Sequence, residues 1–172
     1  VTGVQTCALP ISSNLAEEDG GVAFVKDSNL TVVNCDMTGG NATFGGFLYA
    51  DRSRVTFRDS ICEDGSATWG GCIAGSESTL IIDNATVTSN QASDDGGGIF
   101  LIHRSVANIT RSSFQMNYAS TDGGAMFGDS AEVTMLDCRF LDNLADGRGG
   151  GVSFRNGSIS TVTDSTFRTN RA

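Results

Sequence analysis

Short runs of alternating apolar and polar residues recur along this chain, and the runs themselves return at a longer fixed interval. "NLTVV" (29–33), "RVTFR" (54–58) and "EVTML" (132–136) each place Thr between two apolar residues. That alternation is the period of a strand with one buried face. Taking the second glycine of each pair as an anchor gives Gly21, Gly46, Gly71, Gly98, Gly124 and Gly151. An alanine stands 21 residues after each: Ala42, Ala67, Ala92, Ala119, Ala145 and Ala172. Length variation falls between that alanine and the next anchor, as expected for stacked coils with one tolerant joint.

The columns between anchor and alanine predict which positions face inward. One residue after the anchor stand Val22, Phe47, Cys72, Ile99, Ala125 and Val152, and two further on Phe24, Tyr49, Ala74, Leu101, Phe127 and Phe154. At eleven stand Val32, Phe57, Ile82, Ile109, Met135 and Val162; at sixteen, Met37, Cys62, Val87, Phe114, Phe140 and Phe167. These predict three short strands per coil. About six coils of 25–27 residues then form an all-β, single-stranded parallel β-helix, since that period is one turn of such a solenoid. Right-handedness is expected from the general rule for parallel crossovers.

Corner chemistry fits the same picture. The paired glycines suit a turn that needs positive φ or has no room for a Cβ. At nineteen the chain alternates Gly40 and Gly65 with Asn90, Asn117, Asn143 and Asn170. Both types tolerate the left-handed conformation, and stacked amides would bond from coil to coil. Ser28, Ser53, Ser78, Ser105 and Ser158 read as a second turn ladder.

Residues 1–11, "VTGVQTCALPI", match nothing that follows and read as the conceptual translation of a common short-read sequencing adapter. They are therefore set apart, as a non-native segment carrying Cys7 and Pro10, from a β-helix fragment at 12–172 that is expected to be open at both ends.

Composition narrows the function classes. The 172 residues include 22 Gly and one Pro, with 18% charged residues and a net charge of −9. No Lys/Arg cluster forms, which argues against a nucleic-acid partner. No apolar run approaches the length of a membrane-spanning helix, so membrane attachment would need an anchor outside this stretch.

The tetrads "FQMN" (114–117), "FLDN" (140–143) and "FRTN" (167–170), with the variant "VTSN" (87–90), alternate with "GGVA", "GGFL", "GGCI", "GGIF", "GGAM" and "GGVS". This pattern resembles the polymorphic outer membrane protein family of chlamydial type, whose hallmark tetrads are Gly-Gly-Ala-Ile and Phe-x-x-Asn. The resemblance spans 14–172; "MTGG" and "CEDG" in the first two coils depart from it. It implies an extracellular, right-handed, pectin-lyase-like β-helix serving as an autotransporter passenger in adhesion.

The rival reading is a polysaccharide lyase or glycoside hydrolase of the pectin-lyase-like class, which needs converging carboxylates. The lone His103 sits beside Arg104 at a turn, and Asp94 and Asp95 fall in a variable joint. Asp19, Asp94, Asp95, Asp122 and Asp146 match no calcium-loop motif and read as solvated surface. Cys35 and Cys138 lie four coils apart, too far to bridge. Cys62 and Cys72 occupy apolar columns and read as core thiols. No catalytic, cofactor-binding or metal-binding residue is assigned, and no cofactor is expected. If the source is eukaryotic, Asn29, Asn41, Asn84, Asn108 and Asn156 are candidate glycosylation sites, with Asn41 and Asn108 facing solvent. The expectation is a non-catalytic, secreted or cell-surface scaffold (outer membrane if bacterial), adhesin-like, binding an extracellular protein or glycan.

Overall fold

Alternating apolar positions with no helical period leave the chain one way to bury its apolar face, by stacking coil on coil. The computed structural model describes the backbone of residues 2–6 and residues 11–172 in full. Strands with turns between them, and no helix, make up the described residues. Each coil runs through four parallel sheets. In the second coil these are Leu48–Asp51 in sheet I, Arg54–Arg58 in sheet II, Ile61–Glu63 in sheet III and Ser66–Trp69 in sheet IV. Every strand pairs with its equivalent in the neighbouring coils. The three expected strands per coil are present; sheet IV adds a fourth, only two to four residues long.

The columns at eleven and sixteen pair as expected. Val32, Phe57, Ile82, Ile109, Met135 and Val162 are in direct register, as are Met37, Cys62, Val87, Phe114, Phe140 and Phe167. Phe114, Phe140 and Phe167 stack with centroids 4.8 and 4.5 Å apart. Sheet I is different. Ile73 pairs with Ile99, and Met126 with Val152, one residue away from the register counted from the glycine anchors. Coils four and six carry an extra residue in the turn after this sheet, at His103–Arg104 and Asn156–Gly157. Length therefore varies at two corners rather than one. The column containing Phe24 and Tyr49 continues into Phe100, Phe127 and Ser153, not Leu101 and Phe154. It points outward, away from the main core.

The glycine corner uses both glycines. Gly70 has φ +71°, and a Cβ on Gly71 would lie 2.3 Å from the Gly97 carbonyl oxygen of the next coil. The asparagine column works differently from the expectation. Gly40, Gly65 and the four asparagines are not in the left-handed region; the residue before each is, as at Asp64 and Ser89. Asn90, Asn117 and Asn143 instead form a buried amide ladder. The Nδ2 of each donates to the Oδ1 of the next, at 2.8 to 3.0 Å. Where glycine replaces asparagine, Phe47 fills the space: a Cβ on Gly65 would meet its ring at 2.5 Å. The serine column is a second ladder, with the Ser53 and Ser78 backbone N–H groups donating to Ser78 and Ser105 hydroxyls at 3.0 and 3.1 Å.

Cys62 and Cys72 are joined in a disulfide, which corrects the reading of them as thiols. The strand in sheet III and the glycine corner are brought together inside one coil, Cα atoms 6.1 Å apart, within bridging range. Cys35 is disulfide-bonded as well, and Cys138 is free and buried. Burial pushes the Cys138 thiol pKa up. Cys7 and Pro10 lie outside the described residues. The backbone of Thr2–Thr6 runs as a strand beside Asn29–Val33, so part of the segment set apart in the sequence is strand-shaped.

Candidate functional site

The corner between sheets IV and I bends the chain so that outward residues on both sides face one another. Three columns meet there and form a groove along the solenoid. One wall is the residue before the corner glycine: Asp19, Phe44, Trp69, Asp95, Asp122 and Arg148. The floor is Phe24, Tyr49, Ala74, Phe100, Phe127 and Ser153. The far wall includes Asp51, Ser76 and Ile102, with Arg155 at its end.

The aromatic side chains form a continuous row, separate from the main core. Centroids lie 5.4 Å apart for Phe24–Tyr49, 5.2 Å for Tyr49–Phe44, 4.6 Å for Phe44–Trp69, 6.3 Å for Trp69–Phe100 and 5.4 Å for Phe100–Phe127. Because near-parallel stacking follows the coil axis, ring faces are spent on one another and ring edges point outward. Edges carry the positive end of the ring quadrupole and suit oxygen atoms. The floor is open at Phe24, which is 47% exposed, and closed at Phe127, which is 2% exposed.

Polar groups line this row closely. Trp69 Nε1 donates to Asp94 Oδ2 at 3.1 Å. The Ser76 hydroxyl lies 3.0 Å from His103 Nδ1. Burial, then the charges of Asp19 and Asp51, push the Tyr49 phenol up, against a hydrogen bond with Ser76 that lowers it. Burial, with Glu18 and Asp51 beside it, raises the Asp19 carboxyl. At the closed end Arg155 reaches back over Phe127, with Cζ 4.5 Å from the ring centroid. It pairs with Asp95 at 3.0 Å and Asp122 at 3.7 Å.

Neither Asp95 (7% exposed) nor Asp122 (4%) is the solvated loop residue expected from sequence. Asp95 Oδ1 accepts the Asp122 backbone N–H at 2.9 Å, and Asp122 Oδ1 accepts that of Arg148 at 2.8 Å. The two carboxylates thus continue the ladder logic of the other corners. Burial raises the Asp95 carboxyl, with the Asp122 backbone N–H and Arg155 working against it. Asp146 is exposed and accepts a hydrogen bond from Tyr118 Oη at 2.6 Å. Among the described residues, no cluster of three or more His, Cys, Asp or Glu is arranged to hold a metal ion.

Against this geometry, the right handed beta helix region family matches the chain over residues 6–114 and 68–172. The chain belongs to this family. No curated protein and no solved structure gave a match. A right-handed beta helix joins its parallel strands in the sense that right-twisted strands favour, so the groove follows one corner of a regular right-handed coil.

The five sequon asparagines are all exposed, Asn41 and Asn108 among them. They are scattered over the surface, and none stands in the three groove columns. The groove residues that sequence reasoning missed are Phe44, Trp69, Phe100 and Arg155. The first two carried a signal, since an aromatic stands two residues before each of two anchors. Arg155 carried none, because its partner Asp95 is 60 residues away.

Proposed function

We propose that this chain is a non-catalytic segment of a secreted or cell-surface β-helix, adhesin-like, whose groove binds an extended glycan. The observation that carries the reading is the row Phe24, Tyr49, Phe44 and Trp69, edged by Asp94, Asp51, Ser76 and His103. Ring edges beside hydroxyl, imidazole and carboxylate groups suit a ligand rich in hydroxyl oxygens. The coils repeat about every 4.8 Å, so a linear polymer lying along them meets the same kind of surface at each step. The disulfides at Cys62–Cys72 and at Cys35 support an oxidising, extracellular setting. The adhesin and autotransporter-passenger assignment rests on the tetrads, and the adapter origin of residues 1–11 on their match alone.

Binding is tested by calorimetry with soluble β-glucan, polygalacturonate and chitosan oligomers. Wild type is expected to bind at least one class, and Trp69→Ala and Tyr49→Ala each to weaken it by about tenfold, or about 1.4 kcal/mol. Circular dichroism should leave the fold of both variants unchanged. No binding to any class, or binding indifferent to both substitutions, overturns the reading.

Asp95, Asp122 and Arg155 on one outward face favour a second reading, a polysaccharide-cleaving enzyme. Both carboxylates, however, are already held by backbone N–H groups and Arg155. New reducing ends or unsaturated uronate, appearing on incubation and lost in Asp95→Asn and Asp122→Asn, would establish the enzyme instead.

A further inference from the structure

The groove is not uniform along its length: its floor is 47% exposed at Phe24, 6% at Phe100 and 2% at Phe127, and Arg155 lies over the last of these. The other side-chain hydrogen bonds between coils connect residues 25 to 30 apart, one coil to the next, among the described residues. Arg155 to Asp95 spans 60, from coil six across coil five to coil four. The arm lies across Phe127, which continues the row beyond Phe100. Its own middle is untethered: Arg155 Nε is buried and has no hydrogen-bond partner. Only the head is held, by Asp95 and Asp122, while 39% of the side-chain surface stays open to solvent.

We propose that Arg155 is a stop that ends the groove at coil four and sets how long a ligand segment it accepts. The proposal rests on the glycan reading of the groove given above. The floor beneath the arm is of the same chemistry as the open part. Phe100 and Phe127 stack with nearly parallel rings, interplanar angle 11°, as Phe24 and Tyr49 do. What differs is the guanidinium over Phe127, an arrangement that holds because ring and cation attract and because two buried carboxylates need the charge. Removing the arm adds one coil step, about 4.8 Å, or more to the accessible row. Arg155 thus acts as a specificity-determining residue: it is held by the wall residues Asp95 and Asp122 at the closed end and decides how far the open row extends.

The test uses Arg155→Ala in an Asp95→Asn, Asp122→Asn background, so that no buried carboxylate is left unpaired while the acceptors of the Asp122 and Arg148 N–H groups are kept. Two readouts separate the stop from the binding reading. In the first, Phe127→Trp is combined with Trp69→Phe, and acrylamide quenching of the single indole is measured with and without Arg155. Quenching is expected to rise at least about threefold when the arm is gone; unchanged quenching overturns the stop. In the second, calorimetry follows affinity against oligomer length, from two to eight units, for whichever class binds the wild type. The length at which affinity levels off is expected to be one or more units greater without Arg155, and an unchanged plateau overturns the proposal. Absence of binding by the wild type at every length overturns the glycan reading alone, and the indole then decides the stop.

Discussion

Replacing Asn117 by alanine would interrupt the amide ladder at its most enclosed rung. Asn117 is fully buried. Its Nδ2 donates to the Val87 carbonyl and to Asn143 Oδ1, both at 2.9 Å. Its Oδ1 accepts from the Asn90 backbone N–H at 3.1 Å and from Asn90 Nδ2 at 3.0 Å. Alanine strands the Asn90 N–H completely, whereas Asn90 Nδ2 keeps the Cys62 carbonyl and Asn143 Oδ1 keeps the Asn117 N–H. A stranded buried donor costs about 1–3 kcal/mol, and the lost bonds and void bring the total to about 3–5 kcal/mol. Asn170→Ala removes the same chemistry from the outermost rung, where the bonds are only partly buried and water can substitute. Its cost should be about 1 kcal/mol. Asn117→Asp keeps the acceptor but turns a carboxylate oxygen toward the Val87 and Asn143 oxygens, so it should be no milder than alanine at neutral pH. Urea unfolding followed by circular dichroism and by Trp69 fluorescence measures all three; coincident transitions license the comparison. If Asn117→Ala unfolds within about 1 kcal/mol of wild type, or together with Asn170→Ala, the ladder does not stabilise the fold as argued.

Gly71→Ala should prevent folding or cost more than about 4 kcal/mol, because its Cβ would meet the Gly97 carbonyl at 2.3 Å and Gln91 backbone atoms at 2.7 Å. Gly157→Ala, with φ +77° but nothing within 4 Å, should cost only about 1–2 kcal/mol; equal losses in a thermal melt would refute the steric account. Asp95 binds its proton more readily folded than unfolded, so it makes stability decline as pH rises from the ordinary carboxylate value through its raised folded one. The stability of wild type relative to Asp95→Asn should therefore fall across that window, and a rising difference would show that the Arg155 pairing outweighs burial. Reducing or deleting the Cys62–Cys72 bridge should lower stability by about 2–3 kcal/mol in urea unfolding, while Cys138 should be alkylated only after denaturation, which peptide mass mapping reads.

Most of the fold was legible because two of the four sides of each coil, sheets II and III, repeat cleanly. Thr31, Thr56 and Thr134 lie between apolar neighbours in sheet II, and the Phe-to-Asn spacing of sheet III and its corner never changes. Sheet I was misread at "GIFLI", where Ile99, Phe100, Leu101 and Ile102 are apolar on both faces and leave no alternation to count. Three consecutive glycines at 96–98 and at 149–151 then allowed the anchor to be set one residue late. The extra residues at His103–Arg104 and Asn156–Gly157 restored the count further on and hid the slip. The groove was illegible for the same reason: an outward aromatic row looks like core when its strand has no polar face. The Cys62–Cys72 bridge was missed because the columns at sixteen and at the glycine corner were read as separate apolar sites. Their convergence inside one coil is a property of the bend, not of the spacing.

The two slack corners, one on either side of sheet I, give the solenoid a means of variation that its other sheets lack. Moving a single residue from one corner to the other would slide that strand by one position and exchange its inward and outward side chains, leaving the length of the coil and the packing of the remaining three sheets untouched. A lineage of such repeats can therefore rewrite the face it shows to the outside by small insertions and deletions alone, one coil at a time, without a substitution in the surfaces that hold the stack together.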